Sequence, residues 1–481
     1  MRSILLLLAL AAPAAAGAAA PPAPDPSAWT SYGYDNQLGN GVPTKILTVP
    51  AVARLGLDWS LQLDGPVYAS PLAVRVAGEQ LVYAATEAGT VYAVAVASGR
   101  IVWQRSLGAV ETAECGTWGI TATGAIDLDR GLLYEISANG MLHALELATG
   151  DEADGYPLPL IENNLFEYVW GGLRIGNGKL YVPVASYCDA GPPGGPMPEG
   201  RLLAVSLDRP ADVVSWDPVP GAGNMGGMWG WGGVSIDPSN GRVLTGVGNS
   251  YSWSDECTCY VDNAGYGDHM VALAPDLSGV LDANDPGIPA TGDSDFGAAP
   301  LLFEPAACGP LAAANNKNGT MYVWNRDRLS AGPIVSIPLG DGTSAFVGSP
   351  GWSPTNQMVY VAQSVIRENG RRLGNGITAW HVDPGCGFRP IWSKALGDGN
   401  QATPTVVGNV VYATGGKPGG FFAMNASNGS PLWAYPTEGR TVAGMISVAG
   451  EVFGADTAGV LYAFAGGAPN RTVGSGRALP I

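Results

Sequence analysis

Eight copies of one short pattern constrain this chain more than any other feature: an apolar residue, any residue, Ala (Val in one copy), and a second apolar residue. They read Val91-Tyr-Ala-Val94, Leu142-His-Ala-Leu145, Leu202-Leu-Ala-Val205 and Met270-Val-Ala-Leu273, then Met321-Tyr-Val-Trp324, Ile377-Thr-Ala-Trp380, Phe421-Phe-Ala-Met424 and Leu461-Tyr-Ala-Phe464. Each is a strand between Gly or Asn turns, and successive copies lie 40 to 68 residues apart. A blade of four short strands with its turns needs about 40–50 residues, so the repeat predicts an all-β, eight-bladed propeller with insertions in its central blades. Tyr68-Ala-Ser-Pro71 and Gln401-Ala-Thr-Pro404 mark inner strands, where Pro is tolerated at the first residue.

The count also predicts how the ring closes. Three strands, Thr441–Val448, Glu451–Ala455 and Val460–Phe464, form the last repeat, while Leu57–Leu63 precedes the first repeat with no blade of its own. Pairing them makes every blade four-stranded and removes an open sheet edge. The expected organisation is a signal peptide over 1–20, a Pro-rich linker and irregular lead-in over 21–50, one propeller over 51–470 and a tail over 471–481.

Composition bears on compartment and partners. Met1-Arg-Ser-Ile-Leu-Leu-Leu-Leu-Ala-Leu10 is a basic n-region and an apolar run, followed by A-x-A cleavage sites at Ala14–Ala16 and Ala16–Ala18. Pro13 interrupts the run, so a membrane span is the poorer reading, and a secreted or periplasmic monomer is expected. A net charge of −17 argues against nucleic acid as a partner. Six Cys in an exported chain imply disulfides. Cys308 and Cys386 belong to one propeller face and the other four Cys to the opposite face. The first two are expected to pair, leaving Cys115, Cys188, Cys257 and Cys259 to pair among themselves. Sequons stand at Asn318, Asn425, Asn428 and Asn470.

Propeller topology sorts the remaining residues. The loops leading into inner strands and those joining second to third strands share one face, here called the mouth. Trp229 and Trp231 precede the inner strand of blade 4, and Asn249 ends its second strand. Asp295 precedes the inner strand of blade 5, and Lys317 follows its second strand. Tyr187 and Asp189 follow the second strand of blade 3. Each alone has a plainer reading, as packing for the Trp residues or as turn formers for Asn249 and Asp295. Together they put an aromatic plate, hard oxygen donors, a carboxylate and a cation on one mouth.

The Ala-x5-Gly-x3-Trp repeats at Ala93–Trp103 and Ala423–Trp433, with Trp229-Gly-Trp231, Gly246-Val-Gly-Asn249, Asp295-Phe-Gly-Ala-Ala-Pro300 and Lys317-Asn-Gly319, resemble the quinoprotein dehydrogenases. These are eight-bladed propellers that use pyrroloquinoline quinone (PQQ) and calcium. Gly248-Asn249-Ser-Tyr251 and Asp295-Phe-Gly also look like polyvinyl-alcohol dehydrogenases within that superfamily. The resemblance implies Trp231 as the floor under PQQ, Asn249 as a calcium ligand, and Asp295 as catalytic base and calcium ligand. It implies Lys317 as the donor to the quinone oxygens, with Asp189 standing in for the family's calcium-binding Glu by loop position. An alcohol, small or polymeric, would be oxidised by hydride transfer to the quinone. Lacking Cys-x-x-Cys-His for an attached haem, the chain would need a separate electron acceptor.

Two departures stand out. The family's adjacent Cys-Cys pair is missing, with Cys115 alone at the corresponding place, and no Arg is assigned to the PQQ carboxylates. The alternative reading is a non-catalytic propeller that binds a protein or polymer as a scaffold in the envelope or outside the cell.

Overall fold

The computed structural model describes residues 27–42, 47–112, 115–188, 191, 195–221, 224–288, 294–340, 348–368, 371–397, 404–416, 419–468 and 471–473. The expected signal peptide, Asp189 and the sequon at Asn470 lie outside the described residues. Among the described residues, helix is confined to Val49–Val52 and the 3-10 turn Leu329–Ala331, and no helix is long and apolar enough to cross a membrane.

The strands form eight antiparallel blades. Blade 1 is typical: Leu72–Val76, Glu79–Ala85, Thr90–Ala95 and Arg100–Ser106 pair in sequence order. Every repeat pattern found in the sequence is a third strand, with its Ala (Val323 in blade 5) buried at 1% exposure or less. Ring closure follows the expected route. Leu55–Gln62 pairs antiparallel with Val460–Gly466 as the outer strand of blade 8, and Arg471–Val473 adds a parallel strand outside it.

One contact recurs between blades. Trp103 Nε1 of blade 1 donates to the Leu147 carbonyl of blade 2 at 3.0 Å, and Trp392 Nε1 of blade 6 to Ala426 of blade 7 at 2.9 Å. Trp59 Nε1 of the closing strand donates to Val96 of blade 1 at 2.7 Å. Each acceptor lies three residues after its repeat Ala, so Trp59 acts as the outer-strand Trp of blade 8 although it is distant in sequence. The Trp rings rest on Gly150 and Gly429, where an added Cβ would lie 2.6 Å from the Trp103 or Trp392 ring.

The described part of the lead-in, residues 27–42, is largely irregular and is tied to the blades. Its backbone exchanges hydrogen bonds with the inner strands in order: Trp29 with Ala73, Thr30 with Ile126, Asn36 with Ile236, Gln37 with Leu302, Gly39 with Trp352 and Asn40 with Val406. Asn36 Nδ2 also donates to Ile175 of blade 3 at 2.9 Å. The segment therefore visits blades 1 to 7 and ends as Gly41–Val42, parallel to Thr405–Val407. Left-handed Gly33, Tyr34, Leu38 and Asn40 let it turn this tightly. Arg174, fully buried, anchors it by donating to Ser31 Oγ at 2.7 Å, the Tyr32 carbonyl at 2.8 Å and the Asp35 carbonyl at 2.9 Å. Burial pulls the Arg174 pKa down to about 10 against the opposing pull of Asp35.

The structure pairs Cys308 with Cys386, Cys115 with Cys188 and Cys257 with Cys259, so no disulfide joins a mouth loop to the opposite face.

Candidate functional site

Loops at the starts of inner strands and at the ends of second strands converge on a cavity of about 330 Å³. Its wall includes Trp231 and Asn249 of blade 4, Asp295 and Lys317 of blade 5, and Tyr187 of blade 3. Four of the five residues singled out for cofactor or metal therefore meet in one place, and the fifth, Asp189, lies outside the described residues.

Asp295 is nearly buried and is held from two directions. Trp229 Nε1 donates to its Oδ2 at 2.8 Å, and Lys317 Nζ lies 3.4 Å from its Oδ1. The Lys317 ammonium also stands 5.0 Å from the Trp229 ring centroid, within cation–π range. Blade 4 can approach this closely because residue 248 is Gly. A Cβ there would lie 3.1 Å from Asp295 Oδ2 and 3.2 Å from the Trp229 ring. Trp229 is thus a positioning residue for the carboxylate, while Trp231 lies on buried Tyr32, Leu38 and Ala299. Tyr32 and Leu38 belong to the lead-in, so the segment through the channel supports the cavity from beneath.

Asn249 donates through Nδ2 to Asp262 Oδ2 at 3.1 Å. A carboxylate only accepts, so the amide is oriented with Nδ2 toward Asp262. Behind it, the carboxyl of Asp268 lies against that of Asp262. Burial first, then Asp262, Asp295 and Asp285, push the Asp268 carboxyl up to about 9. Among the described residues, no three or more His, Cys, Asp or Glu side chains are grouped to hold a metal ion.

The opposite wall was not read from the sequence. It brings Tyr68 from the loop before blade 1, Trp170 from the loop before blade 3, and Arg440 and Val442 from the loop before blade 8. Trp118 extends this aromatic lining, 4.9 Å from Trp170 and 6.3 Å from Tyr68 between centroids. The Cys115–Cys188 disulfide ties its loop to that of blade 3. Burial, then the charge of Glu87, raise the Tyr68 hydroxyl pKa against the pull of Arg440. The face rule applied to Asn249 also puts Arg440 on the mouth, so the signal for it was present in the topology.

Eight four-stranded blades with Trp-on-Gly docking define a propeller of the quinoprotein alcohol dehydrogenase-like superfamily. A family model described as outer membrane protein assembly factor BamB matches residues 56–186 and 355–477, more than half of the chain, and the chain belongs to that family of PQQ-like repeats. The cavity residues Trp231, Asn249, Asp295 and Lys317 fall between the two matched segments. Quinohemoprotein alcohol dehydrogenase ADHIIG from Pseudomonas putida HK5 superposes with a TM-score of 0.73 at 17% identity, covering 97% of this chain and 85% of that one. A europium-containing methanol dehydrogenase gives 0.70 at 16% identity, with 92% and 98% covered. BamB from Moraxella catarrhalis gives 0.56 at 14%, with 85% and 99% covered. At these identities the likeness is one of fold. A comparison with curated protein sequences finds no match.

Proposed function

We propose that the chain is an exported, PQQ- and calcium-dependent dehydrogenase that oxidises an alcohol. The observation that carries this reading is the convergence of Trp231, Asn249, Asp295 and Lys317 on one cavity of about 330 Å³. The lining suits a flat, anionic, carbonyl-bearing ligand: aromatic faces from Trp231 and Tyr68, and cationic donors from Lys317 and Arg440. Export rests on the apolar, A-x-A-bearing start of the sequence.

When bound, the quinone supplies the hydride acceptor and calcium supplies Lewis acidity. Asn249 and Asp295 offer the hard oxygen donors for that ion, with Asp189 the proposed third. Trp231 provides the flat surface that orients the ring. Lys317 donates toward oxygen on the ligand and neutralises charge that develops there. Asp295 accepts the alcohol proton at its carboxylate, with Trp229 fixing Oδ2 so that the acceptor stays aimed. The aromatic wall of Tyr68, Trp170 and Tyr187 limits water around the reacting atoms. A separate electron acceptor would reoxidise the cofactor.

Adding PQQ and calcium to the purified protein should give a bound-quinone spectrum that an alcohol bleaches. Asp295→Asn should keep the spectrum and lose about 10²–10⁴-fold in turnover. One observation favours a second reading, a protein- or polymer-binding scaffold. The matching family model is described as an assembly factor and passes over the blades that carry Trp231, Asn249, Asp295 and Lys317. Failure of wild-type protein to take up PQQ in calcium would leave that reading in place.

A further inference from the structure

Behind the Asn249 wall, the insertion between the second and third strands of blade 4 carries two carboxylates in an unusual position. Asp268 is fully buried, and no donor among the described residues reaches either of its oxygens. Asp262 faces it with Oδ1 also buried and without a partner, while its Oδ2 accepts from Asn249. Neither residue lines the cofactor-sized cavity.

The two groups cannot easily move apart. The Asp262 carbonyl accepts from the Ser250 amide at 2.9 Å, and the Ala264 amide donates to Ser250 Oγ at 2.7 Å, closing the insertion onto itself. Asp268 has a left-handed backbone at φ 59° and leads directly into the strand Met270–Leu273. A buried carboxylate held against the buried oxygen of a half-buried one is costly unless something positive or donating lies between them. A single shared proton makes one hydrogen bond between the two carboxyls and, with Asn249 donating to Asp262 Oδ2, still leaves one buried oxygen of the pair without a donor. A hard divalent cation instead takes six to eight oxygens, with water or carbonyl groups completing the set.

We propose that Asp262 and Asp268 form a binding site for a hard divalent cation of the calcium class, separate from the cavity, that pins the 250–268 insertion to blade 4. This site does not depend on the quinone reading. By holding Asp262 the ion also fixes the carboxylate that orients the Asn249 amide, and so steadies one wall of the cavity.

Terbium serves as the probe, in full-length cofactor-free protein, with luminescence sensitised by Tyr266 two residues from Asp268. The wild type should bind terbium and release it to excess calcium. Asp268→Asn should weaken binding by more than about 100-fold, since even outer-shell changes cost 10–100-fold. Asn tolerates the left-handed backbone at this position, so the variant should fold. Asp295→Asn, which alters the cavity, should leave this binding within a factor of a few. In Asp295→Asn protein, where the cavity's own ion site is altered, calcium should still raise and a chelator lower the midpoint of thermal unfolding, and Asp268→Asn should abolish that effect. Absence of terbium binding in the wild type and of any calcium effect in Asp295→Asn would mean a shared proton and overturn the site. Loss of binding in Asp295→Asn would place the ion in the cavity and overturn it equally.

Discussion

Replacing Arg174 by Met tests whether the lead-in segment holds the cavity in shape. Arg174 is fully buried and does not line the cavity, but three short hydrogen bonds join it to Ser31, Tyr32 and Asp35. Longer ones reach the Val234 and Gly232 carbonyls at 3.3 and 3.4 Å. Leaving each short-bonded acceptor unpaired costs about 1–3 kcal/mol, and removing a buried cation returns several kcal/mol of desolvation. The net loss should be about 3–5 kcal/mol, as when one partner of a buried charged network is removed. It should fall first on residues 29–42, because only one or two hydrogen bonds tie them to each inner strand. Urea unfolding followed by Trp fluorescence should show an earlier first transition, with new proteolytic cuts in that segment. Because Tyr32 and Leu38 support Trp231, affinity for PQQ should fall as well. A variant within about 1 kcal/mol of wild type, with the segment still protease-resistant, would refute the claim that Arg174 anchors it.

Other outcomes follow from single residues. Trp59→Ala removes a fully buried ring and the hydrogen bond to Val96 at the seam of the ring. It should cost about 3–5 kcal/mol, measured as a fall in unfolding midpoint. Trp231→Ala should weaken PQQ binding by about tenfold, read by titration, because a stacking face is lost. Burial holds the Glu135 carboxyl well above its usual range, so the folded chain keeps a proton that the unfolded chain releases. Stability should therefore fall as pH rises above about 4.3, the unfolded value, and the melting-point slope between pH 5 and 8 should flatten in Glu135→Gln.

Much of this molecule is local in origin and so was legible in the sequence. A blade is a sequential meander, and its third strand carries a small Ala flanked by apolar residues wherever neighbouring sheets pack closely. The repeat therefore announced the count of eight, and the count announced that Leu57–Leu63 must close the ring. Because connections alternate between the two faces, topology alone sent Trp231, Asn249, Asp295 and Lys317 to one mouth. The same rule covered Tyr68, which was read only as the start of an inner strand, and Arg440, which no local motif marks. What the tertiary structure decided depends on contacts between residues far apart in the chain. The lead-in has no periodicity because its partners are the edges of seven different blades, each supplying one or two hydrogen bonds. The Cys115–Cys188 pairing and the meeting of Asp262 with Asp268 arise from the way inserted loops fold back. Such loops have no regular ladder to impose a register, so only packing against the blades beneath them determines which side chains meet.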